Sequence, residues 1–358
     1  MGILERTYAP ETGPPVDEVL ISSDSHVIEP AGLWKENLPG TLRDRAPDLG
    51  GARRTDAPGG MDKYERVNEM ARDGVSAEVL YPTHGLKTLV LGDRDLEEAC
   101  ARVYNDWLID YCSAAPDRLI GLALLSTYRI EAAVREMERC RRAGMAGVVV
   151  WQVPDPALPF TSRHYDPLWA RAQELEMPVS LHILSGHGYN LRRDFGQGER
   201  GIEQERTSVN LKLVYAMDAL YDFIFSGVLE RFPRLRLVLV ENEIGWLPFI
   251  LEQWDYYFQR HGADRAALGL TMLPSEYFDR QVYATFFNDA VGGRLLSWWG
   301  AGNCMWSSDY PHGNSTWPNS REIVARDMGS LPADVRAGLL RGNVSELYGI
   351  EVPALEQA

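Results

Sequence analysis

Short apolar runs alternate with longer helical patterns along most of this chain, and that alternation constrains its fold more than any other feature. Eight runs stand out: Val19–Ser22, Ala77–Tyr81, Leu119–Leu125, Ala146–Trp151, Val179–Ile183, Leu235–Val240, Gln281–Phe287 and Asn303–Ser307. Between them Leu96–Ala114, Ile130–Ala143, Pro167–Leu175, Leu211–Arg231, Trp246–Arg260 and Asp289–Trp299 carry apolar residues at three- to four-residue spacing, the period of helices that bury one face. Pro178 and Pro233 stand just ahead of strand runs and stop the preceding helices, because proline cannot donate to the helical ladder. Strands alternating with helices build parallel sheets. A doubly wound sheet would carry a Gly-rich phosphate turn after its first strand, but Ser22-Ser23-Asp24-Ser25-His26 occupies that place. The expected fold is therefore α/β, a distorted (β/α)8 TIM barrel, whose usual size of roughly 250 residues leaves room for insertions.

Residues 1–17 read as a polar, Pro-rich arm, 18–351 as one barrel domain and 352–358 as a tail. Gly40–Gly60 and Ser185–Arg206 are the conspicuous insertions, expected on the C-terminal face, where either could roof a site. A net charge of −15 argues against nucleic acid or an anionic membrane as partner, since both attract basic surfaces. No stretch of about 18 apolar residues occurs and no apolar leader follows Met1, so the expected compartment is the cytoplasm. Cys100, Cys112, Cys140 and Cys304 show no CxxC spacing and read as buried free thiols.

Residues just past the carboxyl ends of barrel strands converge on one face. Asp24 and His26 lie there on strand one and alternate along an extended segment, so they point the same way. Strand two offers His84, strand five His182, strand six Glu241 and strand eight Asp309. Each has an ordinary alternative: His182 inside an apolar strand fits a satisfied core histidine, and Asp309 fits a solvated loop acid. Together Asp24, His26, His182 and Asp309 make two imidazoles and two carboxylates, a set suited to a divalent ion, zinc first and manganese as alternative. Candidate substrate contacts are His84, His187, Trp151 and Arg193, with Arg192, Arg200, Phe287 and Trp317 behind them. His312, three residues after Asp309, is placed to orient that carboxylate or touch substrate.

The segments Ser23–Pro30, Leu181-His182, Val240–Pro248 and Ser307–His312, with Ser226–Pro233 and Gly342–Gly349 in support, resemble the amidohydrolase superfamily, in its branch typified by aminocarboxymuconate semialdehyde decarboxylase. The resemblance runs from about Val19 to Gly349. It implies Asp24 and His26 as the first two metal ligands, His182 as the third and Asp309 as the fourth. Binuclear members carry a bridging lysine at the end of strand four. Val148–Gln152 stands there in this chain, which implies a mononuclear site. Decarboxylases of the branch place a histidine at the end of strand six, where this chain has Glu241.

A divalent ion in such a site can acidify a water, with Asp309 or Glu241 taking the proton. Alternatively it can hold a substrate carboxylate while protonation of the adjacent carbon releases CO2. Two anionic ligands lower the charge of the site and favour the second role. The expected function is metal-dependent, non-oxidative decarboxylation of a small carboxylated aromatic or enol-type substrate. Its alternatives are hydrolysis of an amide, ester or lactone, which Glu241 as an anion would suit, and a non-catalytic binding barrel. The resemblance also implies a homodimer.

Overall fold

A computed structural model describes residues 15–49, 57–189, 210–260 and 268–351. Eight strands run in chain order: β1 (Leu20–Val27), β2 (Val75–Pro82), β3 (Leu119–Leu124), β4 (Gly147–Val153), β5 (Val179–Gly186), β6 (Leu237–Val240), β7 (Val282–Phe286) and β8 (Cys304–Trp306). Every adjacent pair from β1/β2 to β7/β8 is parallel. Helices between them cover the outside, as in a (β/α)8 barrel, so the expected fold is the observed one. Strands wrapped on both faces are nearly all apolar, and the fully buried runs Leu122–Leu124, Val148–Val150 and Leu237–Val240 show it.

The β8/β1 seam is closed differently. Instead of a regular ladder, His26 N donates to Tyr310 O at 2.6 Å and Asp309 N to Asp24 O at 3.0 Å. Serine hydroxyls fill the remaining positions. Ser23 Oγ donates to Trp306 O at 2.8 Å, and Ser308 N donates to Ser22 Oγ at 2.8 Å. Ser25 Oγ lies 3.0 Å from Ser308 Oγ. These contacts explain why both motifs are serine-rich: only small side chains with a hydroxyl fit a buried seam and still satisfy its polar groups. β1 also carries a register shift between Ser22 and Ser25, a bulge of the kind that re-aims side chains.

Helices differ from expectation in several places. Leu211–Arg231 is not one helix but two, Lys212–Phe225 and Val228–Arg231, parted at Gly227, whose φ of 74° leaves the helical region. The helices Lys63–Asp73, Pro274–Gln281 and Ser320–Met328 were not expected. The Gly40–Gly60 insertion begins with a helical turn, Gly40–Arg43, and 50–56 lie outside the described residues. The four cysteines are free, with Cys112 only partly buried. At the far end of the barrel the helix Asn343–Tyr348 brings Tyr348 Oη to 3.3 Å from Tyr81 Oη. Among the described residues no helix is long and apolar enough to cross a membrane.

Candidate metal centre

The strand ends gather Asp24, His26, His182, Glu241, Asp309 and His312. Asp24, His26, His182 and Glu241 bring ligand atoms within 4.8 Å of one another, and so do His26, Glu241, Asp309 and His312. His26 Nε2 lies 3.6 Å from Asp24 Oδ1 and 3.5 Å from Asp309 Oδ1. His182 Nε2 is 3.8 Å from Asp24 Oδ1 and 3.8 Å from Glu241 Oε2.

Two observations make this cluster a candidate cation site. The first is the orientation of the imidazoles. His26 Nδ1 lies 3.0 Å from Pro82 O and His182 Nδ1 lies 2.8 Å from Ile183 O. A carbonyl only accepts, so both Nδ1 atoms carry the proton and both Nε2 atoms turn inward. Those two Nε2 atoms stand 3.0 Å apart. Facing lone pairs repel unless a positive charge sits between them. The second is Asp24, fully buried, neither of whose carboxylate oxygens has a hydrogen-bond partner among the described residues. An unpartnered buried carboxylate is costly. A divalent ion satisfies both demands at once, and a metal-ligand function fits these residues.

Burial and the neighbouring charges also shift how these groups titrate. Burial pulls His182 down, but Asp24 and Glu241 outweigh it and the net shift is upward. His26 is driven the other way, well below the ordinary histidine value, by burial and then by the charges of His312 and His182. Asp309 is pushed well up by burial and by Asp24, with Lys212 opposing. Glu241 is pushed up to about 8, first by burial and then by Asp309. Its side chain remains 14% accessible.

The backbone that aims these groups is unusual. Leu184, Glu241, Glu243 and Asp309 all have positive φ, between 56° and 61°, a region that non-glycine residues rarely occupy. Around Glu241 the turn is held from several sides. Glu241 N donates to Thr285 Oγ1 at 2.8 Å, Asn242 Nδ2 to Val240 O at 2.8 Å, and the N–H groups of Ile244 and Gly245 to Asp289.

His312 lies 4.1 Å from His26 between ring centroids, tilted by 33°, and its Nδ1 stands 2.9 Å from Asp309 Oδ1. His84 is half-buried on the turn after β2, with its backbone N–H bonded to Glu29. His187 and Trp151 form a separate cluster: His187 Nε2 lies 2.9 Å from Tyr128 Oη, and Trp151 packs edge-on against both rings. Trp317 packs on Tyr310 instead, so the three aromatic residues Trp151, Phe287 and Trp317 do not form one wall by ring contact. Arg192, Arg193 and Arg200 lie outside the described residues. Gln152, at the expected lysine position, is tied to Asn242 Oδ1 at 2.9 Å.

Two further groups near the site are not among the expected residues. Glu243 is pushed up to about 7 by burial, and its signal was the second acid of Glu241-Asn242-Glu243. Lys212 opens the helix after β5, and its ammonium opposes the upward shifts of both Glu243 and Asp309.

A family model described as Amidohydrolase matches residues 33–350. The chain belongs to the amidohydrolase family. It is an enzyme of that superfamily. The match begins beyond Asp24 and His26, so those two enter the site through the fold. A gamma-resorcylate decarboxylase of Rhizobium radiobacter is 25% identical over 290 residues, covering 69% of this chain and 81% of that protein. A 2-amino-3-carboxymuconate-6-semialdehyde decarboxylase of Dictyostelium discoideum is 22% identical over 301 residues, 81% of this chain and 77% of that one. These relatives bear out the branch expected from the sequence motifs. Among solved structures, an amidohydrolase from Mycobacterium avium subsp. paratuberculosis shares the fold with a TM-score of 0.77 at 20% identity, over 93% of this chain and 100% of that one. The manganese-bound 5-carboxyvanillate decarboxylase of Novosphingobium aromaticivorans gives 0.72 at 18% identity, over 93% and 97%.

Proposed function

We propose that this chain is a metal-dependent, non-oxidative decarboxylase of a small carboxylated aromatic or enol-type compound. Glu241 carries the reading. Its carboxyl group lies among the cluster's ligand atoms, and burial and then Asp309 push it up to about 8. A bound cation lowers that value, and a general acid works best where its pKa lies near the operating pH. As an anion Glu241 would suit hydrolysis; as an acid it suits delivery of a proton to carbon. The relatives' names point the same way, since gamma-resorcylate and 5-carboxyvanillate are both carboxylated aromatics.

Asp24, His26, His182 and Asp309 would hold one divalent ion. Two carboxylates and two imidazoles suit manganese as well as zinc, and manganese is the ion bound in the 5-carboxyvanillate decarboxylase. When bound, the ion supplies positive charge that draws in and orients an anionic substrate. His312 fixes the Asp309 carboxylate. Glu241 gives its proton to the ring carbon, the carbon–carboxylate bond breaks, its electron pair makes the new C–H bond, and CO2 leaves. The substrate is a small molecule, and the same reading includes a homodimer. Phe249 and Trp298, 65% and 69% exposed, offer it an apolar face.

To test the reaction, manganese-loaded protein is incubated with ortho-hydroxybenzoates and, separately, with activated esters and lactones, following CO2 and acid release. CO2 release is expected, reduced by about 100- to 10,000-fold in Glu241→Gln and abolished in Asp309→Asn. Acid release from esters without CO2 from any hydroxybenzoate would sink the decarboxylase reading in favour of a hydrolase.

A further inference from the structure

Arg66 lies on the helix Lys63–Asp73 and is fully buried. Its guanidinium touches three elements at once. Nε pairs with Glu78 Oε2 of β2 at 2.5 Å, and Nη1 donates to the carbonyl of His26 at 2.7 Å. The Tyr310 ring lies over its central carbon at 4.3 Å. His26 and Tyr310 sit on opposite sides of the β8/β1 seam, where strand pairing is replaced by isolated hydrogen bonds, and Tyr310 directly follows Asp309. Glu78 accepts in turn from Ser25 Oγ at 3.2 Å, while Tyr310 Oη donates to Glu69 on the same helix as Arg66.

A charged group placed this deep is not there to add stability. Desolvating a guanidinium costs several kcal/mol, and well-packed apolar residues commonly do as well or better. What a planar, forked cation provides is fixed geometry on several partners at once. We infer that Arg66 is a positioning residue of the metal centre: it clamps β1 and β8 together so that His26 Nε2 and Asp309 Oδ1 meet at the spacing one ion needs. It touches neither ion nor substrate, and it acts through the backbone of His26 and the ring of Tyr310. Partners that orient ligands in this way are commonly worth about 10- to 100-fold in metal affinity.

This inference rests on the metal reading, and one titration separates the two. Chelator-stripped protein is titrated with Mn2+ in competition with an indicator dye, well below the melting temperature. Failure of the wild type to bind Mn2+ overturns the metal reading itself. If the wild type binds, Arg66→Lys, which keeps the charge and loses the fork, is expected to weaken binding about 10- to 100-fold. Tyr310→Leu, which removes the stacked ring, leaves the Arg66–Glu78 pair intact and leaves Glu69 the N–H of Gly59, is expected to weaken it in the same direction and decides the question if Arg66→Lys does not fold. Arg336→Met breaks the partly buried pair between Arg336 and Glu18 near the opposite end of β1 and should leave Mn2+ affinity unchanged. Wild-type affinity in folded Arg66→Lys or Tyr310→Leu, or an equal loss in Arg336→Met, overturns the positioning role.

Discussion

At the scale of single residues, the centre is a contest between protons and a cation. Asp24 has no hydrogen-bond partner among the described residues, and it is the leading influence raising His182 against burial. Replacing Asp24 with Asn removes that negative charge, so His182 should titrate at a lower pH in the metal-free variant than in the wild type. Imidazole resonances followed by NMR across the titration check this. Mn2+ binding should fall with it, by at least about 100-fold, since a ligand and not merely its support is lost. An unchanged His182 titration would remove Asp24 from the cluster. The four proposed ligands were legible because each acid or imidazole interrupts or ends an apolar strand. Arg66 was not legible: an arginine on a polar helix reads as solvent-exposed, and nothing in its neighbours announces that His26 O and Tyr310 enclose it.

At the scale of elements, the eight strands were readable because a parallel strand covered on both faces is an unbroken apolar run. The helix Lys63–Asp73 was missed for the opposite reason. Its inward face is Arg66, Glu69, Met70 and Asp73, so the residues it buries are mostly charged and the usual apolar period is lost. The turn after β2 shows a related device. Buried Glu29 accepts the N–H groups of His84 and Gly85, both at 2.8 Å. Burial, the leading influence, pushes Glu29 up from 4.5 to about 7. Its folded-state value thus lies above its unfolded one, so its contribution to stability is fully present below about pH 4.5 and is lost as pH rises through about 7. Glu29→Gln should therefore flatten the decline of stability across that window while lowering stability at acidic pH, where the native acid is already neutral. Urea denaturation of both proteins at pH 5 and pH 8 measures it. A parallel decline in both would remove Glu29 as its source.

At the scale of the molecule, the proposed metal would join elements from distant parts of the chain: β1, β5 and the loop after β8. Removing it with a chelator should lower the melting temperature, because an ion that binds only the folded state stabilises it by mass action. The increment should be larger at pH 8 than at pH 6. A ligand must be deprotonated to bind a cation, and Asp24 and Glu241 raise His182 above its ordinary value against burial, so raising the pH favours the ion. Thermal scans with and without excess Mn2+ at the two pH values test this, and an increment that shrinks with pH would contradict it. Alternation of strand and helix made the barrel legible as a whole. The serine-filled seam was not, because its closure depends on contacts between residues nearly 290 positions apart.

The left-handed backbone at Leu184, Glu241, Glu243 and Asp309 bears on how such a protein can change. Each such residue costs about 1–3 kcal/mol, and glycine or asparagine would relieve it. Selection for thermal robustness alone would thus drift toward those residues and erase the acids at the barrel mouth. On the proposed roles of Glu241 and Asp309, keeping those acids there gives up stability for chemistry, and a library ranked only by expression or melting point would discard the activity while improving the barrel.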